Sequence, residues 1–452
     1  MNLVRRLINT GIAKVVCSKL GDDSDENLLR WINFFKKNGC GYERDIQVLE
    51  DSLEGKRKRI PYLNLLKAVL SLESANAKFM FHKNIIYNAG IKGNLKRTEF
   101  EKRNGFQSPL FLVISPTMNC NLRCNGCYAG NYDRESLDYG LVNNIIKEGK
   151  SIGTYFYVLS GGEVFTWKDD GRSIFNLFES HQDAYFLIYT NGTLIDKKTA
   201  KRMEQAGNVA LALSVEGFEK ETDSRRGKGV WKKVLQAMDN LAERGMFFGY
   251  SSMVTKGNEE LISSDEFVDF YYDRGCRFGW YFQFLPIGKD PDVEMMATPE
   301  QREHLRMRAD EIRDRKRNFS IGDFWNDGCL MDGCIAAGKK YVHINSNGDV
   351  EPCAFVHFAV DNIEVKSLEE VLKSDFFRNI RSRQPYSNNL YAPCMIIDNP
   401  QILREAAGVE DVRPTHVGAE CVVRDAEITT YLDDYSRRVH ELTDALKNPY
   451  EV

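Results

Sequence analysis

Three cysteines, Cys120, Cys124 and Cys127, stand in the spacing C-x3-C-x2-C and are the side chains of this sequence best suited to chemistry. The apolar run Leu110–Ile114 leads into them, which predicts a buried parallel strand that ends in a loop. In α/β folds, catalytic groups collect at the carboxyl ends of such strands. Because a [4Fe–4S] cluster normally takes four cysteines, three thiolates would leave one iron open to a ligand from outside the protein.

The alternatives for these thiols are a zinc knuckle and three cysteines without a metal. A structural zinc site usually joins a C-x2-C pair to a second Cys or His pair close by. No second pair follows Tyr128 within ordinary reach. The spacing therefore favours a cluster.

The stretch Thr117–Tyr128 resembles the signature of the radical S-adenosylmethionine (radical SAM) superfamily. The resemblance implies that the three cysteines bind a [4Fe–4S] cluster and that SAM occupies the open iron through its amino and carboxylate groups. The family usually has an aromatic residue before the third cysteine. This chain has Gly126 there, and Tyr128 just after the cysteine.

Length and composition are those of an ordinary globular protein. The chain has 452 residues, 42% hydrophobic and 28% charged, which corresponds to about three domain-sized units. No apolar run approaches the roughly 18–20 residues of a membrane span, and no secretory signal is evident. Eleven cysteines are too few for a disulfide scaffold in a chain of this length, and their clustering suits metal binding in a reducing compartment. We therefore predict a cytoplasmic protein.

The N-terminal region is basic, since residues 1–108 carry 20 Lys and Arg against 12 Asp and Glu while the whole chain has a net charge of −4. Residues 1–17 have the pattern of a basic amphipathic helix, and the run Lys56–Arg59 precedes a second apolar helix that starts at Pro61. Two interpretations are open. The region is a helical cap that packs on the body of the protein, or it rests peripherally on an anionic membrane surface and presents a lipid.

From Pro109 the pattern alternates strands and helices, which predicts an α/β fold with a parallel sheet and right-handed crossovers. Six predicted strands are fewer than the eight of a closed barrel, and the resemblance implies a partial (β/α)6 barrel. A highly charged helix over 298–316 is predicted to be a solvated linker. The predicted domains are a helical N-terminal region (1–108), the partial barrel (109–320), a small α+β auxiliary-cluster domain (321–400) and a C-terminal helical tail (401–452).

The predicted strand ends carry a second set of motifs. Paired glycines, Gly161 and Gly162, let the backbone approach a ligand closely, and Glu163 can accept hydrogen bonds from an ammonium group. By resemblance this is the motif that holds the amino group of SAM. Further candidate SAM contacts rest on the resemblance alone: Asn191, then Ser214 and Glu216 where family members contact the ribose, and Arg225 near the SAM carboxylate. The alternative for Arg225 and its neighbour Arg226 is a solvated loop.

A second group of cysteines lies in the C-terminal part, at Cys334, Cys353 and Cys394. A hairpin with its turn at Asn347–Asp349 would bring the first two close together. The spacing C-x13-G-x4-C resembles the first half of a SPASM domain, the auxiliary-cluster extension of peptide-modifying radical SAM enzymes. Because the close cysteines of the second half are missing, the extension resembles a truncated, twitch-like form with at most one auxiliary cluster. The resemblance implies a second, auxiliary iron–sulfur cluster with these three ligands and Cys329 as a candidate fourth. The alternative is buried structural thiols.

The resemblance implies an enzyme in which an electron from the reduced cluster cleaves SAM and the 5′-deoxyadenosyl radical abstracts hydrogen from a substrate carbon. We expect flavodoxin or ferredoxin as the electron donor and no nucleic-acid partner. The substrate stays open between a lipid or isoprenoid chain, which the basic N-terminal region favours slightly, and a peptide or protein, which the SPASM likeness favours. A non-enzymatic iron–sulfur electron carrier or redox sensor is the third alternative.

Overall fold

A nine-stranded sheet forms the centre of the protein in a computed structural model, which describes residues 24–37, 43–56, 58, 60–130 and 132–450. The helix predicted over residues 1–17 lies outside the described residues. The strands of the sheet are β1 (Phe111–Thr117), β2 (Phe156–Gly161), β3 (Tyr185–Thr190), β4 (Val209–Ser214), β5 (Phe248–Val254), β6 (Phe278–Gln283), β7 (Ser320–Asp323), β8 (Tyr341–Ile344) and β9 (Val350–Glu351).

Strands β1 to β6 lie side by side in chain order and are all parallel. Parallel crossovers are right-handed almost without exception, so a sheet that adds every strand to the same side carries its helices on one face. Such a sheet curls around its other face, as in a (β/α)8 barrel but with fewer strands. The predicted partial barrel, with its six strands, is confirmed.

Strands from the C-terminal part extend both edges of this six-stranded core. At one edge β7 pairs in parallel with β6, so the predicted domain boundary at residue 320 falls within a strand of the sheet. At the other edge β8 pairs in parallel with β1, in the register Phe111–Tyr341 to Ile114–Ile344. Strand β9 then folds back antiparallel to β8, and Gly348 adopts a φ of 85° in the turn between them. The predicted hairpin is confirmed.

The helices alternate with the strands of the barrel and also form the two ends of the described chain. In chain order they are α1 (Asp25–Lys37), α2 (Glu43–Leu53), α3 (Pro61–Leu70), α4 (Ala75–Phe81), a π-helix (His82–Lys92), α5 (Gly93–Asn104), α6 (Tyr139–Ser151), α7 (Ile174–Ser180), α8 (Lys197–Ala206), α9 (Glu219–Arg226), α10 (Val230–Ala242), α11 (Glu259–Ile262), α12 (Asp265–Asp273), α13 (Pro299–Arg315), α14 (Gly328–Met331), α15 (Leu368–Leu372), α16 (Asp375–Arg381), α17 (Pro400–Ala407), α18 (Cys421–Arg424) and α19 (Ala426–Thr443).

The charged helix α13 is not the solvated linker that its composition predicts. Leu305, Ala309 and Ile312 recur at helical spacing and are fully buried. Arg302 and Arg313 lie on buried positions as well, where each forms an ion pair with an aspartate. A count of charges hides this face because two of its members are charged residues whose partners lie far away in the sequence.

The N-terminal helices α3 to α5 cap the end of the barrel at which the strands begin. Their polar side chains donate to carbonyl groups in the loops and helix ends that precede β2, β3, β4 and β7, and Leu63, Ala68 and Val69 of α3 are fully buried. The donors and acceptors are Arg97 to Gly153, Asn88 to Asp183, Asn76 to Glu204, and Asn64 to Arg313. The interpretation as a helical cap is therefore correct for residues 61–104.

This cap changes the reading of the basic N-terminal charge. Lys58 forms an ion pair with Asp310 of α13 at 2.6 Å, and Lys67 pairs with Asp25 at 2.7 Å, so some of these cations meet carboxylates of the same chain.

The strands begin at the capped end, whereas the cysteine loop lies at their carboxyl ends. Among the described helices, none has both the length and the apolar character needed to cross a bilayer.

Candidate active site

The loop of Cys120, Cys124 and Cys127 directly follows β1, as predicted, and several neighbouring segments hold its backbone. The amide of Glu163 donates to the carbonyl of Asn119 at 2.8 Å, and the amide of Asn125 donates to the carbonyl of Arg225 at 3.0 Å. Cys127 accepts from the amide of Lys289, also at 3.0 Å. The ends of β2, β4 and β6 thus contribute the segments that fix the loop.

Cys124 and Cys127 are half-buried, and Cys120 is exposed. Burial raises the pKa of Cys120 and of Cys124, and the thiols also act on one another electrostatically. In the described part of the chain, no three His, Cys, Asp or Glu side chains converge as ligands of a single metal ion do.

Backbone amides donate to the sulfur atoms of four of the six predicted ligands. The backbone amide two residues further on donates to the thiol of Cys120, at 3.5 Å, of Cys353, at 3.5 Å, and of Cys394, at 3.3 Å. The amide of Ala336 makes the same kind of contact with Cys334. Amide donors favour the thiolate, the form that binds iron, so the local backbone suits cluster ligation.

Positions 161 and 162 require glycine because β2 ends against the backbone of the cysteine loop. A Cβ atom on Gly161 would lie 2.5 Å from the carbonyl oxygen of Thr117, and one on Gly162 would lie 2.3 Å from that of Asn119. Gly161 also has a φ of 111°, which an L side chain rarely adopts. The predicted close approach of backbone is present, and its partner in this structure is the start of the cysteine loop.

Glu163 is fully buried and links the ends of β2 and β3. Its carboxylate accepts from the hydroxyl of Thr190 at 2.8 Å, from the amide of Asn191 at 2.8 Å and from the amide of Phe165 at 3.2 Å. Burial nevertheless raises its pKa, because desolvation outweighs these donors. A carboxylate has about four acceptor sites, so these bonds leave room for one more donor such as an ammonium group.

Asn191 connects the end of β3 to the first cysteine. Its side-chain amide lies 3.9 Å from the Cys120 thiol and donates to Asn121 at 2.9 Å. Asn121 in turn donates to Thr193 at 2.8 Å. The structure therefore brings Asn191 to the cysteine loop, and a contact of its side chain with SAM stays a prediction.

Arg225 and Arg226 end helix α9 and are part of a buried ion cluster, so the prediction of a loop for them is wrong. Both guanidinium groups donate to Glu216, whose side chain is 2% exposed. Arg225 also donates to the carbonyl of Asn125 at 3.1 Å, and Arg226 lies 4.0 Å from the Cys124 thiol. Two cations beside the cysteines would stabilise the negative charge of a thiolate-bound cluster.

The carboxylate of Glu216 already has hydrogen-bond partners within the protein, whereas a side chain that only contacts ribose would not. Besides the two arginines, it accepts from the amide of Met253 at 3.2 Å. Ser214, the other candidate of this region, ends β4 and pairs with Ser251 of β5. A ribose contact by either residue stays a prediction.

Two residues that the sequence analysis missed fill the space beside Gly126. A Cβ atom at this position would lie 2.7 Å from the ring of Phe284 and 3.2 Å from the sulfur of Met295. Both come from the segment after β6. The aromatic group that the family usually carries before the third cysteine is thus replaced in space by Phe284, a substitution that only the folded chain reveals.

The second cysteine group also comes together. The hydroxyl of Tyr341 donates to the thiol of Cys353 at 2.8 Å. The thiol of Cys334 interacts electrostatically with the thiols of both Cys353 and Cys394. Burial raises the pKa of Cys353 to about 12 and raises that of Cys394 further. Protonated, these three thiols are buried polar groups. Burying them in this form costs free energy, and iron would remove that cost by binding their deprotonated form.

Cys329 does not belong to this group. It packs in a separate apolar cluster with Ile60, Leu63, Tyr391 and Tyr450, and burial raises its pKa to about 12. Cys276 is fully buried, and Cys421 donates to the carbonyl of Pro286 at 3.5 Å. Sequence spacing could not separate Cys329 from the ligands because it stands only five positions before Cys334.

An aromatic cluster joins the two cysteine groups. The ring of Phe355, two residues after Cys353, lies 5.6 Å from the ring of Tyr128, the residue after Cys127. It also contacts Phe282 of β6 at 6.3 Å and Trp325 at 5.2 Å. A loop of the C-terminal domain therefore forms one wall beside the cysteine loop of the barrel.

Comparisons with known proteins identify both halves of this arrangement. The profile of the Radical SAM superfamily matches residues 114–269, and that of the SPASM iron–sulfur cluster-binding domain matches residues 334–395. The AdoMet-dependent heme synthase of Methanosarcina barkeri is 23% identical over 61% of this chain and 85% of its own. The mycofactocin maturase MftC of Mycolicibacterium smegmatis is 26% identical over 66% and 77%.

Among solved structures, SuiB of Streptococcus suis bound to S-adenosylmethionine superposes with a TM-score of 0.55, at 22% identity, over 67% of this chain and 76% of that chain. SuiB has also been solved with its precursor peptide SuiA, with a TM-score of 0.53. At this identity the superposition establishes a shared fold.

Proposed function

Since this chain is a radical SAM enzyme that carries a SPASM domain, we propose that it modifies a peptide or protein substrate at a carbon atom. Its cofactors are a [4Fe–4S] cluster with SAM and an auxiliary iron–sulfur cluster. When bound and reduced, the first cluster would supply the electron that cleaves SAM to methionine and a 5′-deoxyadenosyl radical, and this radical would take a hydrogen atom from the substrate. The remaining steps of positioning and shielding fall to the residues of the chain.

We assign the first cluster to Cys120, Cys124 and Cys127, with Arg225 and Arg226 as cations beside it. Glu163 would accept from the SAM ammonium with its remaining acceptor site, as argued from its three existing hydrogen bonds. These assignments rest on side chains that the ends of β1, β2, β3 and β4 bring to one place.

We assign the auxiliary cluster to Cys334, Cys353 and Cys394. The support is the amide donor at each sulfur and the electrostatic coupling between the thiols. Its fourth ligand is left to the substrate or to another group, since Cys329 packs elsewhere.

The aromatic wall is the observation that carries the peptide proposal. Phe355 of the SPASM domain contacts Tyr128 beside the first cluster loop, so a substrate above the barrel meets both domains. Rings of Phe282, Phe324 and Trp325 continue this wall and suit an apolar or aromatic side chain. SuiB, which shares the fold, has been solved with a precursor peptide.

The lipid alternative loses part of its support. It depended on apolar faces of the N-terminal region, and of these the face of α3 is buried against the barrel, while the helix predicted over residues 1–17 lies outside the described residues. The helices α3 to α5 also occupy the end of the barrel opposite the cysteine loop. We therefore favour the peptide over the lipid.

Isotope transfer tests the substrate class directly. Cells of the source organism grown in D2O yield an extract whose carbon-bound hydrogens are deuterium, and the extract is separated into peptides, lipids and tetrapyrroles. Each fraction is incubated anaerobically in H2O buffer with the reconstituted enzyme, SAM and reductant. We expect 5′-deoxyadenosine that is one mass unit heavier with the peptide fraction only.

Other outcomes contradict the proposal in distinct ways. A mass increase with the lipid or the tetrapyrrole fraction would exclude a peptide substrate but keep the radical enzyme. No 5′-deoxyadenosine under any condition, with both clusters present, would favour the electron-carrier alternative.

A further inference from the structure

A buried arginine of the helix that leaves the barrel contacts both sides of the loop that carries Cys394. Arg302 of α13 donates to the carbonyl of Tyr391 at 3.0 Å, before the cysteine, and makes a two-point ion pair with Asp398, after it. The side chains of Arg302 and Asp398 are 2% and 0% exposed. One guanidinium group therefore grips both flanks of the loop.

Asp398 passes this restraint to the cysteine itself. Its carboxylate accepts from the backbone amide of Cys394 at 2.9 Å, and its own amide donates to the carbonyl of Cys394 at 3.1 Å. The loop closed in this way directs the amide of Ile396 at the Cys394 sulfur, at 3.3 Å. The position of the thiol and its hydrogen bond both depend on the shape of this loop.

The other contacts of Arg302 fix the direction of the guanidinium group. Its Nε donates to Asn326 at 2.9 Å, and Asn326 donates in turn to Asp323 at the end of β7. The arginine is thus oriented from the edge strand of the barrel sheet, and burial leaves no water to compete for these bonds. A lysine in its place has one ammonium group and could not reach Tyr391, Asp398 and Asn326 together.

We propose that Arg302 and Asp398 are positioning residues for the auxiliary cluster, which hold Cys394 and the amide donor to its sulfur in the geometry that iron requires. The inference rests on the proposed assignment of Cys394 as a ligand. Outer groups that orient a ligand typically change metal affinity 10- to 100-fold when removed. Hydrogen bonds to cluster sulfurs also set the reduction potential, and their loss lowers it.

The test uses paired substitutions, because removing one partner of a buried ion pair leaves an uncompensated charge. The double variant Arg302→Met with Asp398→Leu removes the restraint, and Arg302→Lys keeps the charge without the two-sided grip. The matched control is Arg313→Met with Asp327→Leu, an ion pair whose arginine lies on the same helix, whose two hydrogen bonds are both 2.8 Å and whose aspartate precedes Cys329 and not Cys394. Iron and sulfide per chain are measured after anaerobic reconstitution, and thermal unfolding is recorded for each variant.

A variant with Cys120, Cys124 and Cys127 replaced by Ala isolates the second cluster for potentiometry. In that background we expect both Arg302 variants to bind iron at least tenfold more weakly, or to retain a cluster with a more negative midpoint potential, while the control pair changes neither. Equal iron loss in the control would assign the effect to stability alone and overturn the inference. So would unchanged iron and potential in the Arg302 variants, or a wild type that binds only about four irons. None of these measurements needs a substrate, so their failure is separate from that of the peptide proposal.

Discussion

The carboxylate of Glu163 accepts a hydrogen bond from the hydroxyl of Thr190 at 2.8 Å, and this contact joins the ends of two neighbouring barrel strands. Replacing Glu163 with Gln should therefore weaken SAM binding about tenfold to a hundredfold, since a hydrogen bond to a charged group contributes roughly 1.5–3 kcal/mol. Anaerobic equilibrium dialysis measures the affinity. Thr190→Val removes one donor from the same carboxylate and should cost less. A folded Glu163→Gln protein with normal SAM affinity would remove this residue from the site.

Replacing Cys120, Cys124 and Cys127 with Ala should abolish 5′-deoxyadenosine formation and lower the iron content by about four atoms per chain. Each thiolate makes a bond to iron that no neighbouring side chain can supply. Iron analysis and chromatography of the nucleoside products measure the two effects. Cys276→Ala, a buried thiol outside the loop, serves as control and should keep both. SAM cleavage by the triple variant would contradict the assignment.

Replacing Cys334, Cys353 and Cys394 with Ala should reduce iron to about four per chain while part of the SAM cleavage survives. The first cluster has its own loop at the ends of the barrel strands, so it should still assemble. Cys329→Ala is the informative control, because Cys329 lies in the apolar cluster with Tyr391 and Tyr450. Iron loss in that variant would show that Cys329 is a ligand after all.

The cap interpretation predicts a large difference between two adjacent residues of α3. Leu63 is fully buried, and Leu63→Ala should lower the free energy of unfolding by about 2–5 kcal/mol. Tyr62 is 45% exposed, and Tyr62→Ala should change it by less than about 1 kcal/mol. Urea denaturation followed by circular dichroism distinguishes them. Equal, small effects would mean that α3 is not packed on the barrel in solution.

The burial of His357 leads us to expect that the free energy of unfolding decreases in acid. Burial lowers its pKa from 6.5 to about 4, with Glu351 opposing the shift and His416 supporting it. Between pH 6.5 and 4 the unfolded state therefore binds the proton first, so the stabilising contribution is complete above pH 6.5 and is lost as the pH falls toward 4. His357→Gln should flatten the stability–pH curve in this window, measured by thermal unfolding. A curve identical to that of the wild type would show that His357 is protonated normally.

The strands and motifs of the barrel were predictable because their signals are local. Apolar runs such as Leu110–Ile114 end where polar motifs begin, and the carboxyl ends of parallel strands must share one edge. Glu163 and Asn191 accordingly lie at neighbouring strand ends, and their contacts with SAM stay predictions. What the sequence could not show is long-range pairing. The charged helix α13 looked solvated because the aspartate that neutralises Arg302 lies 96 positions away.

Contacts between segments that are separated in the sequence explain the other differences between the predictions and the structure. Phe284 occupies the space beside Gly126 only because the segment after β6 folds over the cysteine loop. Likewise, Arg225 and Arg226 are ordered by Glu216, which precedes them by about ten residues but faces them only once α9 has formed. Periodicity identifies elements, whereas these contacts depend on how the elements pack.

The parallel pairing of β8 with β1 has a consequence for dissecting the protein. A fragment that ends near residue 320, at the boundary suggested by sequence, would leave the backbone of β1 unpaired along one whole side. Exposed strand edges recruit other chains, so such a fragment should aggregate rather than behave as a minimal SAM-cleaving unit. Exchanging C-terminal domains between relatives would meet the same obstacle unless the donor supplied a strand of matching register. We therefore expect that the two matched segments cannot be separated, because strand β8 of the C-terminal extension completes the edge of the barrel sheet beside β1.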